Sequence, residues 1–289
     1  MFKGCLVALV TPFQNGRVDL RKLDELVDWH LEKGTNGIVP CGTTGESPTL
    51  SFEEHKEIIE RVVKRVGGRV PVVAGTGSNN TAEALELTAF ARDVGADGAL
   101  MITPYYNKPE PEGMFQHFKH IAENVDLPIV LYNVPSRTGR AVAIETIERL
   151  SHIPNIVAVK EASLSMQFAS EIRQRCDLTI LSGEDSHTLP LLSLGATGAI
   201  SVVANVEPDA VGPMIHAWTS GQPDKALDIH LKYFPLVRAL FLETNPIPVK
   251  AAMRLMGRLN GEMRLPLSPI SPENENKLRS ALQDLGLVR

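Results

Sequence analysis

The sequence predicts an α/β fold, a (β/α)8 TIM barrel with a C-terminal helical extension, and three observations support this prediction. Short apolar runs alternate with amphipathic stretches along most of the chain. Polar residues do not interrupt the runs, which is typical of parallel strands that are buried on both faces. Eight such runs begin about 28 residues apart on average, the length of one strand–helix unit. A doubly wound open sheet is the main alternative, but it more usually has five or six strands.

Each predicted strand is short and rich in Val, Ile or Leu. In chain order, the strands are predicted over residues 5–10, 37–40, 71–75, 98–102, 128–132, 156–159, 178–181 and 198–202. Apolar stripes of helical period lie between them, for example over residues 20–31, 58–63 and 84–94. Gly34, Gly67 and Gly95 each follow the last periodic residue of a stripe, where helices commonly end.

The remaining residues differ in pattern from the first part of the chain. Residues 225–242, 248–259 and 272–287 have helical patterns, and no further strand is predicted among them. We therefore expect residues 1–221 to form the barrel and carry the catalytic site. Residues 222–289 are expected to form a C-terminal α-helical region that packs on the barrel and is not a separate catalytic unit.

The composition excludes several classes of protein. Of 289 residues, 43% are hydrophobic and 22% are charged, which excludes a disordered or low-complexity chain. The net charge of -5 leaves no basic surplus for phosphates, and aromatic residues make up only 5%, so nucleic acid is not an expected partner. The apolar run 5–10 is too short for a signal peptide or a membrane span, so we expect a soluble protein without membrane contact.

The cysteines also bear on the compartment. Cys5, Cys41 and Cys176 lie far apart and are odd in number, so they do not form a disulfide framework. We expect three small thiols buried in the core and a protein of the reducing cytoplasm.

Lys160 is the residue with the most distinctive position. A barrel of this class carries its active site at the carboxyl ends of its strands, and Lys160 directly follows the strand predicted over residues 156–159. Exclusion of water from the barrel mouth favours the neutral amine, the nucleophile that forms a Schiff base with a carbonyl substrate. The alternative is a lysine that pairs with Glu161 or another carboxylate at the rim. Position alone does not decide between them.

Other strand ends carry groups suited to substrate binding. Tyr132 ends the neighbouring strand and is placed either to move a proton or to fill the core as an aromatic side chain. The run GTTGES at 42–47 precedes a helix with a capping box at Ser51 and Glu54, and its N–H groups and hydroxyls suit a carboxylate. It lacks the lysine and spacing of a phosphate-binding loop, and GTGSNN at 75–80 lacks the third glycine of a nicotinamide site.

Arginine and histidine side chains are two further candidate ligands. Arg137 offers a planar fork for a carboxylate, although a solvated loop arginine is the alternative. His117 and His120 lie three residues apart on a predicted helix, but no acidic or cysteine cluster completes a metal site. We expect solvated or capping histidines there and no catalytic metal.

Four strand-end motifs together resemble a known family. GTTGES, TPYYNKP, YNVPSRTG and IVAVKEAS, in this order and spacing, are similar to the dihydrodipicolinate synthase family within the pyruvate-dependent class I aldolase and lyase superfamily. The resemblance runs nearly end to end and includes SGED, GAISVVANV and FLETNPIPVKAAM. Several motifs at matched spacing are strong evidence, whereas any one of them would be weak.

The resemblance implies a reaction that needs no cofactor. Lys160 would form an imine with pyruvate, and the derived enamine would attack the aldehyde of L-aspartate 4-semialdehyde. Ring closure would then give 4-hydroxy-tetrahydrodipicolinate for lysine and diaminopimelate synthesis. The matching catalytic residues are Lys160, Tyr132 and Thr43 for the imine and proton relay, with Tyr106 from a neighbouring subunit. The matching binding residues are Thr44 for the pyruvate carboxylate, Arg137 for the semialdehyde carboxylate, and Gly183 and Ile200 as further pocket positions.

The resemblance also implies an assembly and a regulator. The family's usual assembly is a homotetramer, a dimer of dimers, and lysine inhibits many members at the dimer interface. The positions that match this lysine site are Ser47, His55, Asn79, Glu83 and Tyr105, although Pro48 and Phe52 depart from some lysine-sensitive members. The alternative for His55 and Glu83 is a pair of solvated helix residues.

Two other functions stay open on the sequence. A sister enzyme, such as N-acetylneuraminate lyase or a keto-deoxy-sugar-acid aldolase, would share the lysine and tyrosine. Arg137 argues against these sisters because it favours a small carboxylated aldehyde. A sensor of pyruvate or lysine without turnover is the third possibility, but it would need no nucleophile at Lys160.

Overall fold

The computed structural model describes residues 2–289, and eight parallel strands form a nearly closed barrel with helices between them. A short antiparallel hairpin, β2 and β3, follows the first barrel strand. The strands are β1 (Gly4–Ala8), β2 (Phe13–Gln14), β3 (Arg17–Val18), β4 (Gly37–Val39), β5 (Val73–Gly75), β6 (Gly98–Ile102), β7 (Ile129–Asn133), β8 (Ile156–Glu161), β9 (Thr179–Ser182) and β10 (Gly198–Ser201).

The helices lie between the barrel strands and after the last of them. The first seven are α1 (Leu20–Glu32), α2 (Phe52–Val66), α3 (Thr81–Asp93), α4 (Pro111–Asn124), α5 (Pro135–Thr138), α6 (Ile144–Ser151) and α7 (Met166–Arg175). The others are α8 (Thr188–Ser193), α9 (Gly212–Thr219), α10 (Pro223–Ala239), α11 (Ile247–Leu255) and α12 (Pro272–Asp284). None of the helices described is long and apolar enough to cross a membrane.

The strand order establishes the barrel. The sheet runs β4-β1-β10-β9-β8-β7-β6-β5, so the two strands at its ends are neighbours in sequence. A parallel bridge joins Ile38 to Val72, and the Ile38 N–H donates to the carbonyl of Pro71 at 3.0 Å. These contacts bring the last edge to the first, which confirms the predicted barrel and excludes the open sheet.

The eight predicted strands are all present, with bounds that shift by one or two residues. The consequential shift is at β8, which was predicted to end at Val159 and continues to Glu161. Lys160 and Glu161 pair with Tyr132 and Asn133 of β7, so both belong to the sheet. The hairpin β2–β3 was not predicted, since two-residue strands leave no periodic signal.

The core has two layers, one inside the barrel and one between strands and helices. The inner layer contains Leu6, Val39, Val73, Leu100, Val130, Ala158, Leu181 and Ile200. Because side chains alternate along a strand, each barrel strand supplies both layers, which explains its uninterrupted apolar run.

Two predictions about buried groups were partly wrong. Cys5 and Cys41 are buried, but Cys176 is only half-buried near the end of α7. His120 is exposed as predicted, whereas His117 is buried and its Nδ1 lies 2.9 Å from the Thr81 hydroxyl. His117 lies on the face of α4 that packs on the barrel, a position that its spacing from His120 does not distinguish.

Candidate active site

Lys160 lies at the carboxyl end of strand β8, at the mouth of the barrel. Its Cα pairs with Tyr132 of β7 and with Leu181 of β9, and its side chain is only 6% exposed. The ammonium nitrogen lies 4.1 Å from the centroid of the Tyr132 ring. Such a contact with the ring face stabilises a cation without supplying a negative charge.

Glu161 does not pair with Lys160. Successive side chains of a strand point to opposite faces, so Glu161 turns away from the barrel interior. Its carboxylate accepts hydrogen bonds from Asn133 Nδ2 at 2.8 Å and from the Ser163 N–H at 2.6 Å, and burial raises its pKa. Within residues 2–289 Lys160 forms no salt bridge, so the rim-pair alternative does not describe this lysine.

Gly183 lies beside Lys160, and Ile200 lies in the inner layer of the barrel. A Cβ at Gly183 would stand 2.8 Å from the Ala162 Cβ and 3.1 Å from the Lys160 Cε, so the absent side chain makes room for the lysine stem. Ile200 is buried in the inner barrel layer and pairs with Leu6.

The loop after β4 is held at several points. A Cβ at Gly75 would stand 2.2 Å from the carbonyl oxygen of Cys41, so only glycine allows the loop this close. The Thr11 hydroxyl donates to the carbonyl of Gly45 at 2.7 Å. Glu46 has a φ of 55° and forms a fully buried salt bridge with Lys250 of α11. The loop that carries Thr43 and Thr44 is therefore fixed from both the barrel and the C-terminal helices.

Asn245 connects two of the predicted substrate-binding residues. Its Nδ2 donates to the Thr44 hydroxyl at 2.9 Å, and its main-chain carbonyl accepts from the Arg137 guanidinium at 3.2 Å. Sequence reasoning missed this role, although Asn245 lies within the late motif that carried the family resemblance. A polar residue between two apolar helical patterns gives no indication of its distant partners.

A cavity of about 420 Å³ opens at this end of the barrel. Three of its lining residues, Thr43, Tyr132 and Arg137, are predicted site residues. Four more of its lining residues were predicted for the lysine site, namely Ser47, His55, Glu83 and Tyr105. Lys160, Thr44, Gly183 and Ile200 border the mouth or the inner layer and do not line this cavity. The structure thus brings two sites that were predicted separately into one continuous space.

The predicted lysine-site residues are not simply solvated. His55 is buried, its Nε2 lies 2.7 Å from the carbonyl of Gly75, and burial lowers its pKa. Glu83 accepts a hydrogen bond from the Ser78 hydroxyl at 2.8 Å. Asn79 lies outside the cavity lining but donates to the carbonyl of Tyr105 at 3.1 Å, which fixes the cavity wall.

Tyr106 stands apart from the other site residues. Its side chain is 90% exposed, its φ is 68°, and it does not line the cavity that holds Tyr132 and Thr43. In the described chain, no hydrogen bond joins the Tyr132 and Thr43 side chains. The relay is therefore not connected within this single chain, and the donation of Tyr106 to a neighbouring subunit stays a prediction.

Glu184 is a second residue that sequence reasoning left without a role. The half-buried carboxyl has a pKa that is raised to about 7, chiefly by burial and then by the neighbouring Asp185. The positive charges of Lys160 and Arg137 oppose this increase. A carboxyl group with a raised pKa near a buried lysine at the barrel mouth is a candidate proton-transfer group. Among residues 2–289 no group of three or more His, Cys, Asp or Glu side chains is arranged to hold a metal ion.

The chain is similar to a known protein family over almost its whole length. A profile described as the dihydrodipicolinate synthetase family matches residues 1–285. A 4-hydroxy-tetrahydrodipicolinate synthase of Nitratidesulfovibrio vulgaris is 52% identical over 290 aligned positions, which cover 99% of each chain.

Solved structures give the same result. Dihydrodipicolinate synthase from Aquifex aeolicus is 51% identical, with a TM-score of 0.98 over 99% of both chains. The chloride-inhibited dihydrodipicolinate synthase of Acinetobacter baumannii, complexed with pyruvate, is 44% identical and has a TM-score of 0.97 over 100% of both chains. The similarity therefore includes the barrel, its loops and the C-terminal helices.

Proposed function

Since the chain belongs to the dihydrodipicolinate synthetase family, we propose that Lys160 is the residue through which it carries out the family's reaction. The enzyme is a 4-hydroxy-tetrahydrodipicolinate synthase, which condenses pyruvate with L-aspartate 4-semialdehyde in lysine and diaminopimelate biosynthesis. The observation that carries the assignment of Lys160 is its environment. The amine is buried at a strand end, over the Tyr132 ring, without a salt bridge among the residues described.

This environment suits the covalent chemistry. The Lys160 amine attacks the carbonyl carbon of pyruvate and water leaves, which gives an imine. The protonated imine withdraws electrons, so a proton is lost from the methyl carbon and an enamine forms. The enamine carbon then bonds to the aldehyde carbon of the second substrate, the aldehyde oxygen takes up a proton to become a hydroxyl group, and the imine to Lys160 is restored. The imine that Lys160 forms is the electron sink, so the sequence of steps needs no further cofactor.

Proton transfer and substrate binding are proposed for the residues around Lys160. Tyr132 and Thr43 face the same cavity, and we assign them to the relay together with Tyr106 of a neighbouring subunit. Thr44 is proposed to bind the pyruvate carboxylate, and Arg137 the carboxylate of the semialdehyde. Gly183 and Ile200 shape the pocket around the imine.

A coupled assay tests the reaction. Pyruvate and L-aspartate 4-semialdehyde are supplied, and added dihydrodipicolinate reductase reports product as loss of NADPH. We expect turnover that disappears in Lys160→Ala, and borohydride should trap pyruvate on Lys160 of the unmodified enzyme. Trapped pyruvate without turnover would indicate a sister aldolase, and absence of the adduct would favour a sensor without catalysis.

Substitution of Arg137 tests the choice of aldehyde. We expect Arg137→Ala to raise the KM for L-aspartate 4-semialdehyde about 10- to 100-fold, since hydrogen bonds to a charged group contribute about 1.5–3 kcal/mol. The KM for pyruvate should change little. An unchanged affinity for the semialdehyde would contradict the assignment.

We also propose a homotetramer, a dimer of dimers, in which the exposed Tyr106 completes the site of a neighbouring subunit. Analytical ultracentrifugation tests the assembly, and monomers with full activity would contradict it. Lysine is proposed to bind at Ser47, His55, Asn79, Glu83 and Tyr105, where Glu83 supplies a negative charge for the ammonium group. Calorimetry that detects no binding at millimolar lysine would refute this site.

Two broader proposals complete the description. We place the enzyme in the cytoplasm, which the unpaired thiols of Cys5, Cys41 and Cys176 support. We retain the division into a catalytic barrel, 1–221, and a C-terminal helical region, 222–289. The second region has no independent site in this proposal, since Asn245 and Lys250 act on the barrel mouth.

A further inference from the structure

We propose that Glu184 moves protons from the amino group of the second substrate to Lys160 while the ring closes. The proposal rests on the function proposed above and assigns one further residue to the same site. The second substrate carries both a carboxylate and an ammonium group. A carboxyl group at the barrel mouth is a suitable partner for the ammonium group. Arg137 is proposed for the carboxylate, and no residue has yet been assigned to the ammonium group.

Most carboxylates near the mouth are already engaged by protein groups. Their partners are Lys250 for Glu46, Ser78 for Glu83, Asn133 and Ser163 for Glu161, and the N–H groups of Val202 and Val203 for Asp185. Glu184 differs from them. Its carboxylate forms no salt bridge with any residue from 2 to 289, and the nearby Ser186 hydroxyl lies 2.9 Å from the His187 Nδ1.

The main chain fixes Glu184 next to the lysine. The preceding residue, Gly183, is the glycine whose Cβ would stand 3.1 Å from the Lys160 Cε, and its N–H donates to the carbonyl of Glu161 at 2.8 Å. The Glu184 carbonyl accepts from the Ser182 hydroxyl at 2.8 Å and from the His187 N–H at 3.0 Å. The main chain of Glu184 is thus held just beyond the end of β9, the strand beside the one that carries Lys160.

Ring closure needs a group in this place. The substrate nitrogen enters as an ammonium ion and is not a nucleophile until it loses a proton. It then bonds to the imine carbon, and the bond from that carbon to Lys160 Nζ breaks. In total the substrate nitrogen gives up two protons and Nζ gains two. Glu184 takes each proton as a carboxylate and returns it to Nζ as a carboxylic acid, so it ends as it began.

The acid strength of Glu184 fits this exchange. Burial and Asp185 raise its pKa to about 7, against the influence of Lys160 and Arg137. These are the charged groups that act on it from its own loop, from β8 and from α5. A carboxyl group whose pKa lies near the working pH both accepts and returns a proton readily, whereas an ordinary glutamate is a weak base.

Substitution by Gln tests the proposal because it keeps the size of the side chain and removes its basicity. In Glu184→Gln we expect the coupled rate to fall about 10²- to 10⁴-fold. Borohydride with pyruvate alone should still label Lys160 as in the unmodified enzyme. With both substrates, mass spectrometry should now find an adduct that contains both of them on Lys160. The condensed intermediate accumulates because its ring cannot close and it is not released from the lysine. Glu184→Asp should recover part of the rate.

An aldehyde without the amino group separates proton transfer from a structural effect. Succinate semialdehyde has the same chain and carboxylate but cannot form the ring. We expect Glu184→Gln to add it to the bound pyruvate as fast as the unmodified enzyme does. Equal losses with both aldehydes, or unchanged turnover, would overturn the role of Glu184. Failure of the unmodified enzyme to trap pyruvate would instead overturn the function proposed for Lys160.

Discussion

Lys160 and Lys250 are the two buried lysines of residues 2–289, and they lie in different regions of the molecule. Both ammonium groups lie over an aromatic ring, 4.1 Å from the centroid of Tyr132 and 4.4 Å from that of Phe13. Lys250 also forms a salt bridge with Glu46, whereas Lys160 has no such partner. The comparison indicates that the absence of a salt bridge, more than burial, distinguishes the lysine proposed to react from the structural one.

The two positions explain the difference. Lys160 lies at the end of a barrel strand, where its side chain enters the mouth and the adjacent carboxylate, Glu161, turns outward. Lys250 lies on α11, whose buried face packs against the loop that carries Glu46. Burial lowers the pKa of Lys250, and the carboxylate of Glu46 opposes that change. The surroundings of Lys160 leave its amine available for the chemistry proposed above, and Lys250 holds the loop that carries Glu46.

Matched substitutions at the two lysines should separate the two roles, and the largest effect is expected at Lys160. Lys160→Met keeps the apolar stem and removes the amine. Because no imine forms, kcat should fall about 10⁴-fold or more in the coupled assay. Urea unfolding should show that the free energy of unfolding is maintained, since no salt bridge is lost. A variant that keeps about a tenth of the turnover would refute the distinction between the lysines.

Lys250→Met should have the opposite pattern. It leaves the buried Glu46 carboxylate without its salt-bridge partner and with only the Arg264 N–H at 3.2 Å, so the free energy of unfolding should fall by about 3–5 kcal/mol in urea titrations. A second change, Glu46→Gln, should recover much of this loss because the uncompensated charge is gone. If Lys250→Met abolished imine formation without loss of stability, the comparison would fail, because both lysines would then be chemical.

The pH dependence of stability examines the acid next to the reactive lysine. Glu184 has a pKa of about 7 in the folded protein, above its usual range near 4.5 when unfolded. Between these values the folded state binds more protons, so this group's contribution to stability falls as pH rises from about 4.5 to about 7. Relative to Glu184→Gln, the unmodified protein should lose about 3 kcal/mol over this range in urea titrations. A constant difference would show that the carboxyl is not perturbed.

Asn245 links the two regions, and the smallest effect is expected there. Asn245 lies in the segment that leads to Lys250, and Asn245→Ala removes its hydrogen bond to Thr44. The kcat/KM for pyruvate should fall about 5-fold, since Thr44 is proposed to bind its carboxylate and a hydrogen bond contributes about 1 kcal/mol. Asn260→Ala is the matched control, because its Nδ2 donates to the carbonyl of Phe13 at 2.8 Å, away from Thr44 and Arg137. Equal kinetic losses in both variants would indicate a general loosening.

The fold and the chemical centre follow from local features of the sequence. A strand buried on both faces must be apolar at each position, so eight such runs, spaced by helical stripes, are enough to predict the barrel. A lysine directly after one of these runs has to project from a barrel strand, whatever the rest of the chain does. The motif resemblance also predicts the substrates. It can do so because the matched side chains, Arg137 among them, lie within short segments of the sequence.

Only the tertiary structure determines how these groups are held. Asn245 lies 201 residues from Thr44 and 108 from Arg137, and Lys250 lies 204 residues from Glu46. The pairing of Lys160 with Tyr132, the raised pKa of Glu184 and the continuous cavity likewise depend on neighbours from other strands. Periodicity reports whether a residue is buried but not which distant group it meets. Hydrogen bonds, charge interactions and cavities depend on which distant groups come together. They are therefore determined only when the barrel closes.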